Sequence, residues 1–328
     1  MSFAGARTPD YPTRAISSHC GTDRDPCPVA VEFPDFPRRE FDLDDAFVSS
    51  IVSPGRGNPV LFIHGNSSCK EIWTHQLALL AAHGRAFIAL DLPGHGQSGN
   101  ARSPQHVYSF PGYAGVIGKL LTRLDWHCVD VVGWSLGGHI GLELLGTDTR
   151  VRSLLIVGTP PVRPSPHAVT EGFHASNVMQ LAGKRTFSVR EAQTYARRML
   201  GGDRFVTPSL LEKVIRTDGD ARHFMVENAL SGVGMDARLV AETTHKPLCI
   251  VHGEDEPFVR LSYLRSIRYR TLWNGSISLI RSAGHAPHWQ RPRAFNAILS
   301  SFLDLESRKS AHSINNSFAL APDLWANP

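Results

Sequence analysis

Val131-Val132-Gly133-Trp134-Ser135-Leu136-Gly137-Gly138-His139 is the stretch on which the fold turns. Ahead of it lies a short apolar run, 128–132, with the length and composition of a buried strand, and from 136 to 145 the pattern is helical. A Gly-x-Ser-x-Gly sequence wedged between strand and helix requires a sharp turn. In that turn the serine takes a strained backbone conformation, which lifts its hydroxyl clear of the sheet. Gly133 and Gly137 let strand and helix pack that closely, and the first N–H groups of the helix point at whatever the hydroxyl attacks. Ser135 is therefore the candidate nucleophile.

Working outward, apolar runs bounded by turn residues stand at 58–64, 86–90, 128–132, 154–157, 248–251 and 277–280. Short, nearly continuous runs suit strands buried on both faces of a parallel sheet. Helical patterns alternate with most of them, at 71–82, 113–124, 136–145 and 293–303. This alternation predicts an α/β fold, a mostly parallel sheet with helices on both faces. Residues 41–52 are expected to add an antiparallel pair of strands in front. From about residue 162 to 239 the rhythm breaks: helical stretches appear at 191–200, 209–217 and 221–229, but no buried strand. That interval is too long for a plain crossover, so it reads as a helical cap inserted into the sheet domain. The expected division is an arm over 1–37, a core over 38–162 and 240–306, the cap over 163–239 and a tail over 307–328. The arm holds six prolines (Pro9, Pro12, Pro26, Pro28, Pro34 and Pro37) and no periodicity. In the tail, Phe318, Leu320, Leu324 and Trp325 are candidates to dock it.

Composition narrows the function. The chain has 328 residues, 34 Lys+Arg against 30 Asp+Glu, and 42% hydrophobic residues, enough for a real core. No Lys/Arg cluster backs the net charge of +4, which argues against a nucleic-acid partner. No run of about 18 apolar residues suggests a membrane span, and the first residues lack the apolar stretch of a signal peptide. A cytoplasmic protein is expected. Five cysteines, an odd number, do not read as a disulfide framework; Cys20 and Cys27 read as a loose thiol pair. No HxHxDH, HExxH or CxxC cluster, P-loop or GxGxxG after a strand is present, so neither a metal nor a nucleotide cofactor is expected.

A nucleophilic serine needs a base, and the base an orienting acid, in the chain order Ser, acid, His. Among sixteen histidines, His285 in Ser282-Ala283-Gly284-His285-Ala286-Pro287 follows the last strand and has the right order. Three acids, Glu254, Asp255 and Glu256, follow the 248–251 strand; spacing from Gly253 favours Glu256, with Asp255 as the alternative. The segment Gly158-Thr159-Pro160-Pro161, the other common position for an acid, holds none. Oxyanion donors are expected from the backbone N–H groups of Asn66, in Ile63-His64-Gly65-Asn66, and of Leu136. His64 and the turn Asp91-Leu92-Pro93-Gly94-His95-Gly96-Gln97-Ser98 read as scaffold, and Cys69, Cys128 and Cys249 as inert thiols. A serine rather than an aspartate nucleophile points to acyl transfer on a small-molecule ester or lactone.

These residues resemble the α/β-hydrolase superfamily, with a Ser–acid–His triad and a cap. The segments HGNSS (64–68), DLPGHGQS (91–98), GWSLGGHIG (133–141), GTPPV (158–162), RTDGDAR (216–222), DEPFV (255–259) and AGHAP (283–287) look more particularly like the metal-independent N-acyl-homoserine lactonases of this fold. The resemblance runs from about residue 40 to 305. It implies Glu256 as the triad acid, no cofactor, and hydrolytic opening of the lactone ring. It also implies a substrate-binding tyrosine at Tyr195, in Tyr195-Ala196-Arg197; Trp134 is the second substrate-binding candidate. Phe173, Met179, Leu181 and Phe187 are candidates to line an apolar slot for the acyl chain. The arm and the tail have no counterpart in that family.

Overall fold

The computed structural model describes residues 36–163 and 165–305. Most of the arm and all of the tail, with Cys20, Cys27, Phe318, Leu320, Leu324 and Trp325, lie outside these residues. Eight strands form one sheet: β1 (Arg38–Asp42), β2 (Phe47–Ser53), β3 (Arg56–Ile63), β4 (Arg85–Leu90), β5 (Val129–Trp134), β6 (Val151–Val157), β7 (Leu248–Gly253) and β8 (Ser278–Ile280). Their spatial order is β1-β2-β4-β3-β5-β6-β7-β8. β2 pairs antiparallel with both β1 and β4, and every other pairing is parallel. The expected fold class is thus the observed one.

Strands β4, β5 and β7 are buried along their whole length, as both-faced coverage requires. The period of two sorts their side chains between two cores. Leu61 and Ile63 of β3 join one core, and Val60 and Phe62 the other. The first face is covered by α3 (Phe110–Arg123) and α4 (Leu136–Thr147), which bring Ile117, Leu120 and Ile140. The other is covered by α1 (Thr74–Ala82) and α13 (Pro292–Phe302), which bring Leu77, Leu80, Phe295 and Leu299. Two short helices, α2 (Pro104–Val107) and α12 (Pro287–Gln290), and α11 (Leu261–Ser266) sit in connections. No described helix is long and apolar enough to cross a membrane.

Between β6 and β7 the described residues make six α-helices: α5 (Pro166–Gly172), α6 (Asn177–Leu181), α7 (Val189–Leu200), α8 (Pro208–Arg216), α9 (Gly219–Leu230) and α10 (Ala237–Thr243). Helix α7 opens on a capping box, Ser188 with Glu191, and ends on Gly201 in the left-handed conformation. The last of the six, α10, packs on α4 and so belongs with the sheet's own helices. Hydrogen bonds tie the inserted helices down at several points. Tyr108 O–H donates to Asp218 (2.6 Å), Trp289 Nε1–H to the Phe205 carbonyl (2.9 Å) and Gln290 Nε2–H to the Leu200 carbonyl (2.7 Å).

The 91–98 turn is held by one buried carboxylate. Asp91 accepts from the Lys70 ammonium (2.6 Å), the Lys70 N–H (2.7 Å) and the Gln97 N–H (2.7 Å). Lys70 and Asp91 are both fully buried, which is tolerable only because each is paired. A Cβ at Gly96, where φ is +52°, would lie 2.1 Å from Asp91 Cγ, so this turn closes only around glycine. His64 Nε2 accepts from the Leu92 N–H (3.0 Å) and its Nδ1–H donates to the Gly65 carbonyl (2.7 Å). Both ring nitrogens are therefore spent on fixing the loop that carries Asn66.

Candidate active site

Ser135 stands at the junction of β5 and α4 with φ of +52° and ψ of −114°. A non-glycine residue there costs roughly 1–3 kcal/mol, and the surroundings must impose it. Its N–H donates to the Val157 carbonyl (2.9 Å) and its carbonyl accepts from Thr159 Oγ1 (2.9 Å). A Cβ on Gly133 would lie 2.3 Å from the Gly137 carbonyl oxygen, and one on Gly137 would lie 2.1 Å from that of Ile63. Both glycines are thus required by the close approach that aims Ser135 outward.

His285 and Glu256 are buried and paired: His285 Nδ1 lies 2.9 and 3.0 Å from the two carboxylate oxygens. An ionised carboxylate only accepts, so Nδ1 carries the proton and Nε2 is left as an acceptor. Nε2 is buried with no protein partner. Glu256 Oε1 also accepts from the Phe258 N–H (2.9 Å). Burial works against ionisation of Glu256, but the His285 imidazole and the Phe258 N–H outweigh it and hold the carboxyl below its ordinary value. Glu254 and Asp255 face solvent. Their N–H groups are tied to the Ile280 and Ala283 carbonyls, which leaves Glu256 as the carboxylate turned inward.

Ser135, His285, Asn66 and Leu136 line one cavity of about 1050 Å³ between the sheet edge and the inserted helices. Asn66 is held by its side chain, which donates to the Ala182 carbonyl (2.9 Å). Leu136 is the first residue of α4, so its N–H has no carbonyl one turn back within the helix. Tyr195, buried on α7, reaches the same cavity, with its hydroxyl 3.5 Å from the Asn66 carbonyl. Phe173, Met179 and Leu181 line the cavity as expected.

Two sequence expectations need correction. Trp134 is buried and does not line the large cavity. It still belongs to β5, so the period of two sends its side chain with Val132 to the α1/α13 face. There its indole N–H donates to the His285 carbonyl (2.8 Å) from behind. Phe187 is likewise absent from the lining; it packs on Tyr195 and under the Arg222 guanidinium, 4.2 Å from the ring centroid.

Two residues that sequence reading did not single out support the geometry. Gln290 Oε1 accepts from the Gly284 N–H (2.5 Å) while its amide nitrogen holds Leu200, so one side chain fastens both the His285 loop and α7. Gly158 has φ of +62°, and a Cβ there would lie 2.8 Å from His285 Cε1. The signal was present in Gly158-Thr159-Pro160-Pro161, a glycine at a strand end; what it makes room for is visible only in three dimensions. Gly158→Ala should displace the imidazole and lower turnover by about 10²-fold, with a stability loss of roughly 1–3 kcal/mol. Unchanged kcat in a variant whose melting temperature has fallen would show that the ring tolerates the methyl group.

Among the described residues no group of three or more His, Cys, Asp and Glu side chains converges as a metal site. The described arrangement can bring a serine hydroxyl and a base oriented by a carboxylate to an acyl carbon, and two backbone N–H donors to its carbonyl oxygen.

Comparisons with known proteins place the chain in a family. The model of the alpha/beta hydrolase family matches residues 60–298. A solved structure of the N-acyl homoserine lactonase AidH, a serine-to-glycine mutant complexed with N-hexanoyl homoserine lactone, superposes with a TM-score of 0.79. It is 38% identical, over 83% of this chain and 99% of that one. AidH complexed with N-butanoyl homoserine gives a TM-score of 0.78 at 37% identity, over 86% and 100% of the two chains. A curated relative, the poly(3-hydroxyalkanoate) depolymerase of Ectopseudomonas oleovorans, is 24% identical over 291 residues, 83% of this chain and 94% of that protein.

Proposed function

The chain belongs to the alpha/beta hydrolase family, and from that premise we propose that it hydrolyses the ring ester of N-acyl homoserine lactones through Ser135, His285 and Glu256. The observation that carries the chemistry is the convergence of Ser135 with the buried His285–Glu256 pair on one large cavity. The lactone as substrate rests on the likeness to AidH, a lactonase matched along 99% of its length.

In this mechanism Ser135 Oγ attacks the ring carbonyl carbon as its proton passes to His285 Nε2. Glu256 holds the ring in that tautomer and stabilises the imidazolium. The N–H groups of Asn66 and Leu136 receive the oxyanion; losing one such donor typically costs about 10²–10³ in turnover. The bond from acyl carbon to ring oxygen then breaks, and His285 returns the proton to the departing alkoxide. Water, deprotonated by His285, attacks the acyl-serine; the bond from acyl carbon to Ser135 Oγ breaks, His285 returns the proton to Oγ, and N-acyl homoserine leaves.

A lactone imposes a difficulty that an open-chain ester does not. The alcohol formed by ring opening remains tethered to the acyl group, and its effective molarity against the acyl-enzyme can reach the order of 10⁵ M. Tyr195, hydrogen-bonded above Asn66, is the group we assign to hold that alcohol away until water has reacted. Mass spectrometry of N-hexanoyl homoserine lactone after incubation with the protein tests the reading. The expected product is heavier by one water and closes again in acid. Free homoserine lactone with hexanoic acid would mean amide cleavage instead. An unchanged lactone alongside hydrolysis of simple esters would make the protein a general carboxylesterase.

A further inference from the structure

His139 is a polar side chain on the cavity wall that the triad does not use. Its N–H bonds the Ser135 carbonyl (3.2 Å), which puts it one helical turn along α4 from the nucleophile. The ring lies flat on Phe110, with centroids 4.9 Å apart and planes within 7°, and Phe173 stands 6.2 Å away on the cavity wall. That stacking fixes the ring plane, and none of the hydrogen bonds among the described residues engages a ring nitrogen. Burial holds its pKa down to about 4, so the ring is neutral at physiological pH. A neutral imidazole carries one donor and one acceptor. The ring is half-buried on a cavity wall that also holds Phe110, Glu143, Val169 and Phe173, so its donor and acceptor are open to a bound molecule.

We propose that His139 hydrogen-bonds an oxygen on the third carbon of the substrate's acyl arm, so that the preferred lactones are 3-oxoacyl or 3-hydroxyacyl derivatives. This rests on the lactone reading above. The distances agree. Four residues along a helix rise about 6 Å. In an extended acyl homoserine lactone, three bonds separate the ring carbonyl carbon from the amide carbonyl carbon and span up to about 3.7 Å, and two further bonds bring the third carbon to about 6 Å. The imidazole donates to a 3-oxo group and can accept from a 3-hydroxyl.

The test compares kcat/KM for N-octanoyl and N-(3-oxooctanoyl) homoserine lactone. The parent protein should favour the 3-oxo substrate by about tenfold. His139→Phe should bring that ratio close to one, with the change in KM, and His139→Gln, which can still donate, should keep part of the preference. Equal use of the two lactones by the parent overturns the proposal, as does a ratio unaltered by His139→Phe. The same two arms carried on glycine methyl esters keep the spacing but remove the ring. Inert lactones with a His139-dependent ratio on these esters would sink the lactone reading and uphold the role of His139; a ratio of one on both sets would sink that role. A measurement that needs no His139 variant is the imidazole nitrogen resonance of His139 in Ser135→Ala protein. It should move with N-(3-oxooctanoyl) lactone and not with the octanoyl lactone, and identical responses would overturn the proposal.

Discussion

Ser135→Ala is expected to lower lactone hydrolysis by a factor on the order of 10⁴–10⁶ without lowering the melting temperature. The size follows from the geometry. His285 Nε2 has no hydrogen-bond partner among the described residues, and it shares its cavity with Ser135, so removing the hydroxyl removes the nucleophile that the turn after β5 offers there. A residual rate of roughly 10³–10⁴ over water remains in such variants, because the oxyanion donors and the cavity still act. A competing route has water attack the ring directly with His285 as base and Ser135 as a spectator. That route predicts a loss of no more than about 10²-fold, the size of one lost positioning contact. The measured factor therefore separates covalent from direct hydrolysis. A companion variant reads the strain. At φ of +52° alanine keeps the Cβ penalty and glycine does not. Ser135→Gly should be as inactive as Ser135→Ala and more stable than it by about 1 kcal/mol. Equal melting temperatures would mean that the surrounding turn, rather than Ser135 itself, carries the strain.

How much of this could be read from the chain follows from the range of the forces involved. The strand at 128–132 extends two residues further, to Trp134, and the run at 154–157 begins three residues earlier, at Val151. Burial on both faces produces such runs locally, so their order along the chain already implied the sheet. Ser135, His285 and Glu256 could be picked out as candidates for the same reason, because each lies in the turn or loop that follows a strand, β5, β8 or β7, whose turn residues mark the end. The misplacement of Trp134 came from reading nearness in sequence as nearness to substrate, when β alternation turns adjacent side chains to opposite faces. Phe187 fails for a different reason. Its position depends on Arg222, 35 residues on, whose guanidinium is held by the Lys184 and Arg185 carbonyls, and no local pattern encodes that clamp. Gly158, Gln290 and His139 make their contacts with elements distant in the chain, so these contacts appear only once those elements pack.

Glu256→Gln should reduce kcat by about 10⁴-fold, while Asp255→Asn, at a solvent-facing carboxylate, should stay within about twofold. Glutamine has nearly the shape of glutamate, and its carbonyl oxygen can still accept from the Phe258 N–H. Its NH₂ group, however, then faces His285 Nδ1 and can only donate. The imidazole answers by moving its proton to Nε2, the atom that must accept the Ser135 proton. The catalytic loss is thus a loss of tautomer rather than of fold. The pH dependence of stability gives an independent reading. Because the carboxyl of Glu256 is held below its ordinary value of 4.5, the unfolded chain binds more protons than the folded one in the window between the two values. The carboxylate's contribution is complete above the unfolded value and is lost as pH falls through the folded one. The parent protein should therefore lose stability through that acid window more steeply than Glu256→Gln, whose neutral amide does not titrate. Parallel acid limbs would mean that the Glu256–His285 pair adds nothing to the fold. A large activity loss in Asp255→Asn with Glu256→Gln spared would move the acid one residue along the chain.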